Sequence, residues 1–287
     1  MSCATLYVVA TPIGNLNDIS PRVKETLEKA DLVAAEDTRV AMKLLSHLGL
    51  SKPTISCHRH NEDTRSDVII DRMLEEGITV ALTCDAGTPA ISDPGQLLVD
   101  AAWKAGIRVI PVSGPSATVT ALSASGFDAR EFAFYGFLPR EKKPLQEKLL
   151  SIHESGIPVA VVYESPHRIV KLVEQVCETL PGCNIAVCCD LTKLYEKIYR
   201  GSCDEVLAQL RENPNVEKGE YCMVIDLSPL PAPEKEKVVL PADVIMLKAI
   251  LDGADLDEAF DAAKQAGCPR NELYKAKLKI LEMFEEE

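Results

Sequence analysis

Apolar runs alternate with amphipathic stretches through the first 126 residues. The run at 6–10 reads as a buried strand that breaks at Thr11-Pro12-Ile13-Gly14. Ser20-Pro21 then opens a helix, with the serine as N-cap and proline in the first turn. The pattern predicts strands over 32–35, 54–57, 78–84 and 108–112. It predicts helices over 39–48, 64–76 and 96–105, each followed by a glycine where a C-terminal cap belongs (Gly49, Gly77, Gly106). Such alternation of strand and helix implies a parallel sheet with helices on both faces.

The rhythm breaks near 126–130 and resumes differently. Strands are predicted over 131–137, 158–163, 184–189, 196–200 and 221–227. Helices are predicted over 142–151, from Ser165-Pro166 to 180, and over 203–211. The late strands lie close together in sequence, so part of this second sheet is expected to be antiparallel. The segment 228–237 (SPLPAPEKEK) has the proline and charge of a linker. Helical stretches follow at 242–251, 256–266 and 271–284. The expected organisation is an α/β chain with one α/β domain over 1–126, a second over 127–228, a linker over 229–240 and a small helical tail over 241–287.

Composition narrows the class. With 46% hydrophobic residues in 287, the chain has enough apolar material for real cores. No apolar run approaches the roughly 18 residues that a membrane-spanning helix needs. The first apolar run is short and has no basic flank, so it reads as a strand and not a signal peptide. Ten cysteines are scattered without a CxxC pair, which reads as reduced, mostly buried thiols of a cytoplasmic protein. The net charge of −13 argues against a broad nucleic-acid-coating surface. Any nucleic-acid contact must use local basic groups. Candidates are Arg140, Lys142, Lys143 and Lys148, and, in the tail, Lys264, Arg270, Lys275, Lys277 and Lys279. Solvated helix faces explain the same residues equally well.

The informative segments follow strands, where ligands of open α/β sheets sit. Four are dense in Gly, Pro, Ser and Thr: 11–16, 85–95, 113–117 and 164–168. Such turns bring backbone close to a ligand, though any one alone reads as a turn or a cap. There is no GxGxxG after the first strand and no GxxxxGK[ST], so neither a dinucleotide fold nor a P-loop is supported. Glu36-Asp37-Thr38-Arg39 offers paired carboxylates that can orient a hydroxyl or take its proton; a capped helix start is the competing reading. Cys57–Glu62 (CHRHNE) concentrates groups that bind metals or move protons. It has no second Cys/His pair at zinc spacing, so no metal is expected. Lys193 follows a strand end and either meets phosphate or is merely solvated.

The runs LYVVATPIGNLNDIS, ADLVAAEDTR, LLSHLGL, HNE, CDAGTPAISDPG, SGPSA, YESPHR and KGEY occur in this order, followed by NELYK in the tail. Together they resemble the small-subunit ribosomal RNA methyltransferase I branch of the tetrapyrrole methylase superfamily. The resemblance implies two α/β domains of tetrapyrrole methylase type with S-adenosylmethionine in the cleft between them, and a homodimer. It implies 2′-O-methylation of a cytidine in the decoding region of 16S rRNA, with the small ribosomal subunit as partner. Carried over position by position, it places the cofactor against Pro12, Gly14, Asp85, Ala86, Gly87, Thr88, Ile91, Gly114, Pro115, Ser116, Ala117, Thr118, Tyr163 and Glu164. Glu36, Asp37 or His60 would act on the acceptor hydroxyl. Arg39, Asn61, Glu62, His167, Arg168 and Lys193 would face the substrate. The chain departs from the branch at Cys189-Asp190, where Arg-Glu is usual, so RNA affinity here would rest on other basic groups. A tetrapyrrole or other small-molecule methylase of the same fold is the alternative, and a non-catalytic assembly factor a second one.

Overall fold

The computed structural model describes residues 4–233 and 240–285. The predicted linker falls partly on 234–239, outside the described residues. The chain divides into two compact units, Met1–Pro233 and Glu234–Glu287.

The first unit contains two five-stranded sheets. Strands β1 (Thr5–Val9), β2 (Leu32–Ala35), β3 (Thr54–Ser56), β4 (Thr79–Thr83) and β5 (Arg108–Val112) form the order β3-β2-β4-β1-β5. Every pairing in this sheet is parallel, so all five carboxyl ends open on one edge. Side chains alternate between faces. Leu6, Val80 and Leu82 pack on one face with Ile69 and Met73 of α3 (Glu62–Glu76) and Leu98 of α4 (Gln96–Lys104). Val9, Val33 and Ala81 pack on the other with Val23 and Leu27 of α1 (Pro21–Lys29) and Leu45 of α2 (Thr38–His47). Helices on both faces are what the sequence pattern implied.

The second sheet is built from β6 (Phe132–Phe137), β7 (Val159–Glu164), β8 (Asn184–Cys189), β9 (Lys197–Ser202) and β10 (Tyr221–Asp226), ordered β6-β7-β10-β8-β9. Only β6 and β7 run parallel; the other pairings are antiparallel, as the spacing implied. One face packs against α6 (Lys142–Glu154), α7 (Ile169–Thr179) and α8 (Cys203–Glu212). The opposite face is covered by α5 (Ala117–Ser125), whose Ala121 and Leu122 meet Val161, Ala186, Cys188 and Val224. The sequence pattern does not predict α5. Its residues ATVTALSAS carry no amphipathic stripe, and β-branched and serine content disguises it as loop.

Two expectations need correction here. Ser165-Pro166 does not cap a helix: α7 begins at Ile169, because the Ser165 N–H and Oγ–H both donate to Glu164 Oε1 (2.7 and 3.2 Å). The cysteines are not all free either. Cys177 of α7 and Cys203 at the start of α8 are joined in a disulfide, while Cys57, Cys84, Cys183, Cys188, Cys189, Cys222 and Cys268 are free and buried.

The second unit contains α9 (Ala242–Leu251), α10 (Leu256–Gln265) and α11 (Arg270–Glu285). Met246, Ala259, Ala263 and Ile280 are fully buried among them, so the tail has a small core of its own. Asp255 and Glu258 close a reciprocal cap at the start of α10. Among the described residues, no helix is long and apolar enough to cross a membrane.

Leu82 is fully buried between β1, β2 and α4. Leu82→Ala is expected to cost about 2–5 kcal/mol, read as a lower midpoint in urea unfolding without loss of the cooperative transition.

Candidate functional site

The carboxyl edge of the first sheet faces loops of the second. After β1, the Thr11 N–H donates to the Gly87 carbonyl (2.8 Å) and the Gly87 N–H returns to Thr11 (3.0 Å). This bridge ties the loop after β1 to the loop after β4. Gly87 takes φ +84°, which a side chain tolerates poorly. From the other sheet, Thr192 Oγ1 accepts the Asn15 N–H (3.1 Å). A Cβ on Gly14 would stand 2.5 Å from Lys193 Cγ, so only glycine lets these two loops meet.

Two cavities lie along this seam. The first, of about 340 Å³, is walled by Gly87, Thr88, Ile91, Asp93, Ser116, Ala117, Phe137, Tyr163, Glu164, Cys188 and Tyr221, among others. Its volume sits within the roughly 300–1,000 Å³ of small-molecule sites. The second, of about 310 Å³, is walled by Pro12, Gly14, Leu16, Val40, Lys43, Leu44, Asp85 and Lys193, among others. Ile13, Ala86 and Glu220 belong to both walls. The residues assigned to the cofactor from sequence therefore divide. Ala86, Gly87, Thr88, Ile91, Ser116, Ala117, Tyr163 and Glu164 line the first cavity. Pro12, Gly14 and Asp85 line the second. Gly114, Pro115 and Thr118 support the wall: a Cβ on Gly114 would press Ala10 at 2.9 Å, the Pro115 carbonyl accepts from Thr88 Oγ1 (3.2 Å), and Thr118 Oγ1 shares a hydrogen bond with the Tyr163 hydroxyl (2.9 Å).

Three carboxylates interact here: Asp93 lines the first cavity, Asp85 the second, and Glu36, which lines neither, feels the charge of both. Burial pushes the half-buried Glu36 carboxyl up, and the negative charges of Asp93 and Asp85 push it further. Asp85 and Asp93 are themselves raised, chiefly by burial. Arg59 offsets part of the negative charge at Glu36 and Asp93, and its Nη2 donates to the Ser92 carbonyl (3.0 Å). Glu164 is 3% exposed; its Oε2 has no hydrogen-bond partner, with Arg168 Nη2 at 3.2 Å. Among the described residues, no group of three or more His, Cys, Asp or Glu is arranged to hold a metal.

The profile of the tetrapyrrole (corrin/porphyrin) methylases matches residues 5–207. The ribosomal RNA small subunit methyltransferase I of Halalkalibacterium halodurans is 45% identical over 222 residues, 77% of this chain and 75% of that protein. The protein of that name from Haemophilus influenzae is 40% identical over 279 residues, 96% of this chain and 97% of its own. This chain belongs to that methyltransferase family. Among solved structures, a diphthine synthase superimposes with a TM-score of 0.59 at 15% identity, covering 78% of this chain and 90% of that one, which shows the shared fold.

Within this methyltransferase, several residues expected at the substrate are engaged in holding the protein together. Asp37 is the N-cap of α2: its Oδ1 accepts the Arg39 N–H (2.8 Å), and its Oδ2 meets Arg39 Nη2 at 2.6 Å. These bonds hold its carboxyl down at about 2, which makes it a poor base. Arg39 itself points outward, its side chain 83% exposed. Glu62 is 7% exposed, and its Oε1 accepts the Gly95 and Leu97 N–H groups (2.7 and 2.8 Å), capping α4. Asn61 closes its own turn, accepting the His58 N–H (2.8 Å) and donating to the Ser56 carbonyl. Arg168 turns inward, donating to the Pro139 carbonyl (3.1 Å) beside Glu164. His60 is exposed with its ring 6.0 Å from His58, and lines neither cavity. His167 is exposed, 3.9 Å from Glu217. Lys193 Nζ is held between Asp190 Oδ1 (3.0 Å) and Glu220 Oε2 (2.9 Å). Burial pulls its ammonium down, but the two carboxylates together outweigh this and raise it.

The sequence reading passed over Asp93 and Glu220. Both stand in runs it had marked, CDAGTPAISDPG and KGEY. Neither has a helix or strand period that would aim it at a cavity.

Glu62→Ala would leave two α4 N–H groups unsatisfied. A loss of about 1–3 kcal/mol is expected, measured by chemical denaturation. Because Glu36 is raised in the folded protein, its protonated form favours folding. That contribution is full below the ordinary carboxylate value of about 4.3 and is lost as pH rises through the raised value. Glu36→Gln, a mimic of the protonated form, is therefore expected to melt above the native protein at pH 8. The difference should close on acidification.

Proposed function

We propose that the chain transfers the methyl group of S-adenosylmethionine to the 2′-hydroxyl of a cytidine in the decoding region of 16S rRNA. The small ribosomal subunit would be the substrate, the enzyme a homodimer, and the setting the cytoplasm. The observation that carries the reading is the first cavity. Loops from both sheets wall it, next to a cluster of carboxylates, in a chain whose relatives are named for methylating small-subunit RNA.

The residues present fit that cofactor. A positively charged donor suits a site where Glu36, Asp85 and Asp93 concentrate negative potential. Glu164 stands in the cleft wall with its carboxylate paired to Arg168. Gly87, held at a φ of +84° that favours glycine, leaves its backbone open to a ligand. Gly87, Thr88, Ser116, Ala117, Tyr163 and Glu164 would hold the molecule. When bound, S-adenosylmethionine supplies an activated methyl group for in-line transfer.

The protein's own task is the acceptor. A ribose hydroxyl is a weak nucleophile at neutral pH and needs both placement and help in losing its proton. Glu36 is the group suited to this. Its raised carboxyl holds a proton more firmly than an exposed glutamate, whereas Asp37 is tied to Arg39 and depressed. Asp85, whose Oδ1 accepts the Asp37 N–H (3.2 Å), keeps the two acidic segments in register. Lys193 contributes by tying Asp190 to Glu220 within the loops of the second sheet.

Methyl transfer to small ribosomal subunits prepared from cells lacking this protein tests the reading, followed by mapping of the modified ribose. Glu36→Gln is expected to lower kcat by about 10²–10⁴ while Asp37→Asn leaves most of the activity. Transfer to a base, or to a tetrapyrrole in preference to RNA, would replace the proposal.

A further inference from the structure

The second cavity is used by none of the donor-holding residues named above, and it has the makings of a nucleotide site. Its lining combines the apolar Leu16, Val40 and Leu44 with the carboxylate-bearing Asp85. Asp85 Oδ1 is engaged by the Asp37 N–H, whereas no other hydrogen bond to its carboxylate is formed among the described residues. Lys193 and Glu220 neutralise each other at one end. Lys43, on the exposed face of α2, joins none of the ion pairs formed among the described residues. The cavity thus combines apolar lining, an acceptor for an amine and one available cation.

We propose that this cavity receives the acceptor nucleotide, swung out of its RNA strand, as a site separate from the donor cleft. The inference rests on the reading of the chain as an RNA ribose methyltransferase. The base lies against Leu16, Val40 and Leu44. A cytosine exocyclic amine donates to Asp85, the contact by which carboxylates single out cytosine. A flanking phosphate meets Lys43. Ile13, Ala86 and Glu220 wall both cavities, so a ribose at that partition reaches the donor side while its base stays in the second cavity. Enzymes acting on a nucleotide commonly take it out of the stack into such a pocket.

Two variants and one cross-link test this. Leu16 is 44% exposed, so Leu16→Trp fills the cavity without disturbing a core. Lys43→Gln removes the cation. Leu16→Trp is expected to lower kcat/KM for small subunits at least about tenfold. Lys43→Gln is expected to raise KM with kcat held, and to reduce the salt dependence of RNA binding by about one phosphate contact. Both should bind S-adenosylhomocysteine, titrated calorimetrically, as the native protein does. Independently of turnover, rRNA carrying 5-iodocytidine is cross-linked to the native protein by light; the expected adducts fall on peptides containing Leu16 or Val40–Leu44. Native activity with both variants unimpaired would overturn the site, as would loss of S-adenosylhomocysteine binding or cross-links confined to other segments. If the native protein methylates no RNA, the functional reading itself fails, and the cross-links still decide whether a nucleotide enters here.

Discussion

Two backbone hydrogen bonds between Thr11 and Gly87 are the contact on which the site depends. They join the loops that leave two neighbouring parallel strands, β1 and β4, and so fix the partition between the cavities. Neither bond involves a side chain, and this explains the local composition. The loops must approach at backbone distance, so they need residues with little bulk or with a turned backbone. Gly87 meets the need with a left-handed φ, and Gly14 by leaving room for Lys193.

The second sheet completes the site through an inserted loop. Between β8 and β9 the chain turns through Asp190 and Thr192, both at positive φ (+52° and +67°). These are strained positions for residues with side chains, and hydrogen bonds offset the strain. Asp190 Oδ1 takes the Glu220 N–H and Lys193 Nζ, and Thr192 reaches the Asn15 N–H. Asp190 is thus held by Lys193 and lies close against the turn at Gly219. A Cβ on Gly219 would collide with the Asp190 carboxylate at 2.4 Å. The preceding Cys189 places a buried thiol at the end of β8.

The regular elements were legible in sequence because burial on both faces writes itself as uninterrupted apolar runs. β2 and β4 lie where the runs 32–35 and 78–84 place them. The candidate site was legible as loops, since glycine, proline and acidic residues cluster at strand ends. The assignment of individual side chains was not. Whether a carboxylate faces a ligand or caps a helix depends on what lies beside it in space. Glu62 caps a helix that begins more than thirty residues later in the chain. Arg168 answers a buried glutamate four residues before it. Neither differs in its sequence surroundings from a residue that would face a ligand. Helix α5 was hidden for a related reason: it lies on the second sheet, so its buried positions answer to strands that occur later in the chain.

That placement of α5 has a mechanical consequence. The segment Ser113–Ser116 leaves the first sheet and runs straight into a helix seated on the second, so it works as a tie rod between the two halves. Any tilt of one sheet against the other must pull on Ser116 and Ala117, which line the first cavity. The shape of the first cavity and the angle between the sheets are therefore coupled, through this stretch and through the Asn15–Thr192 link.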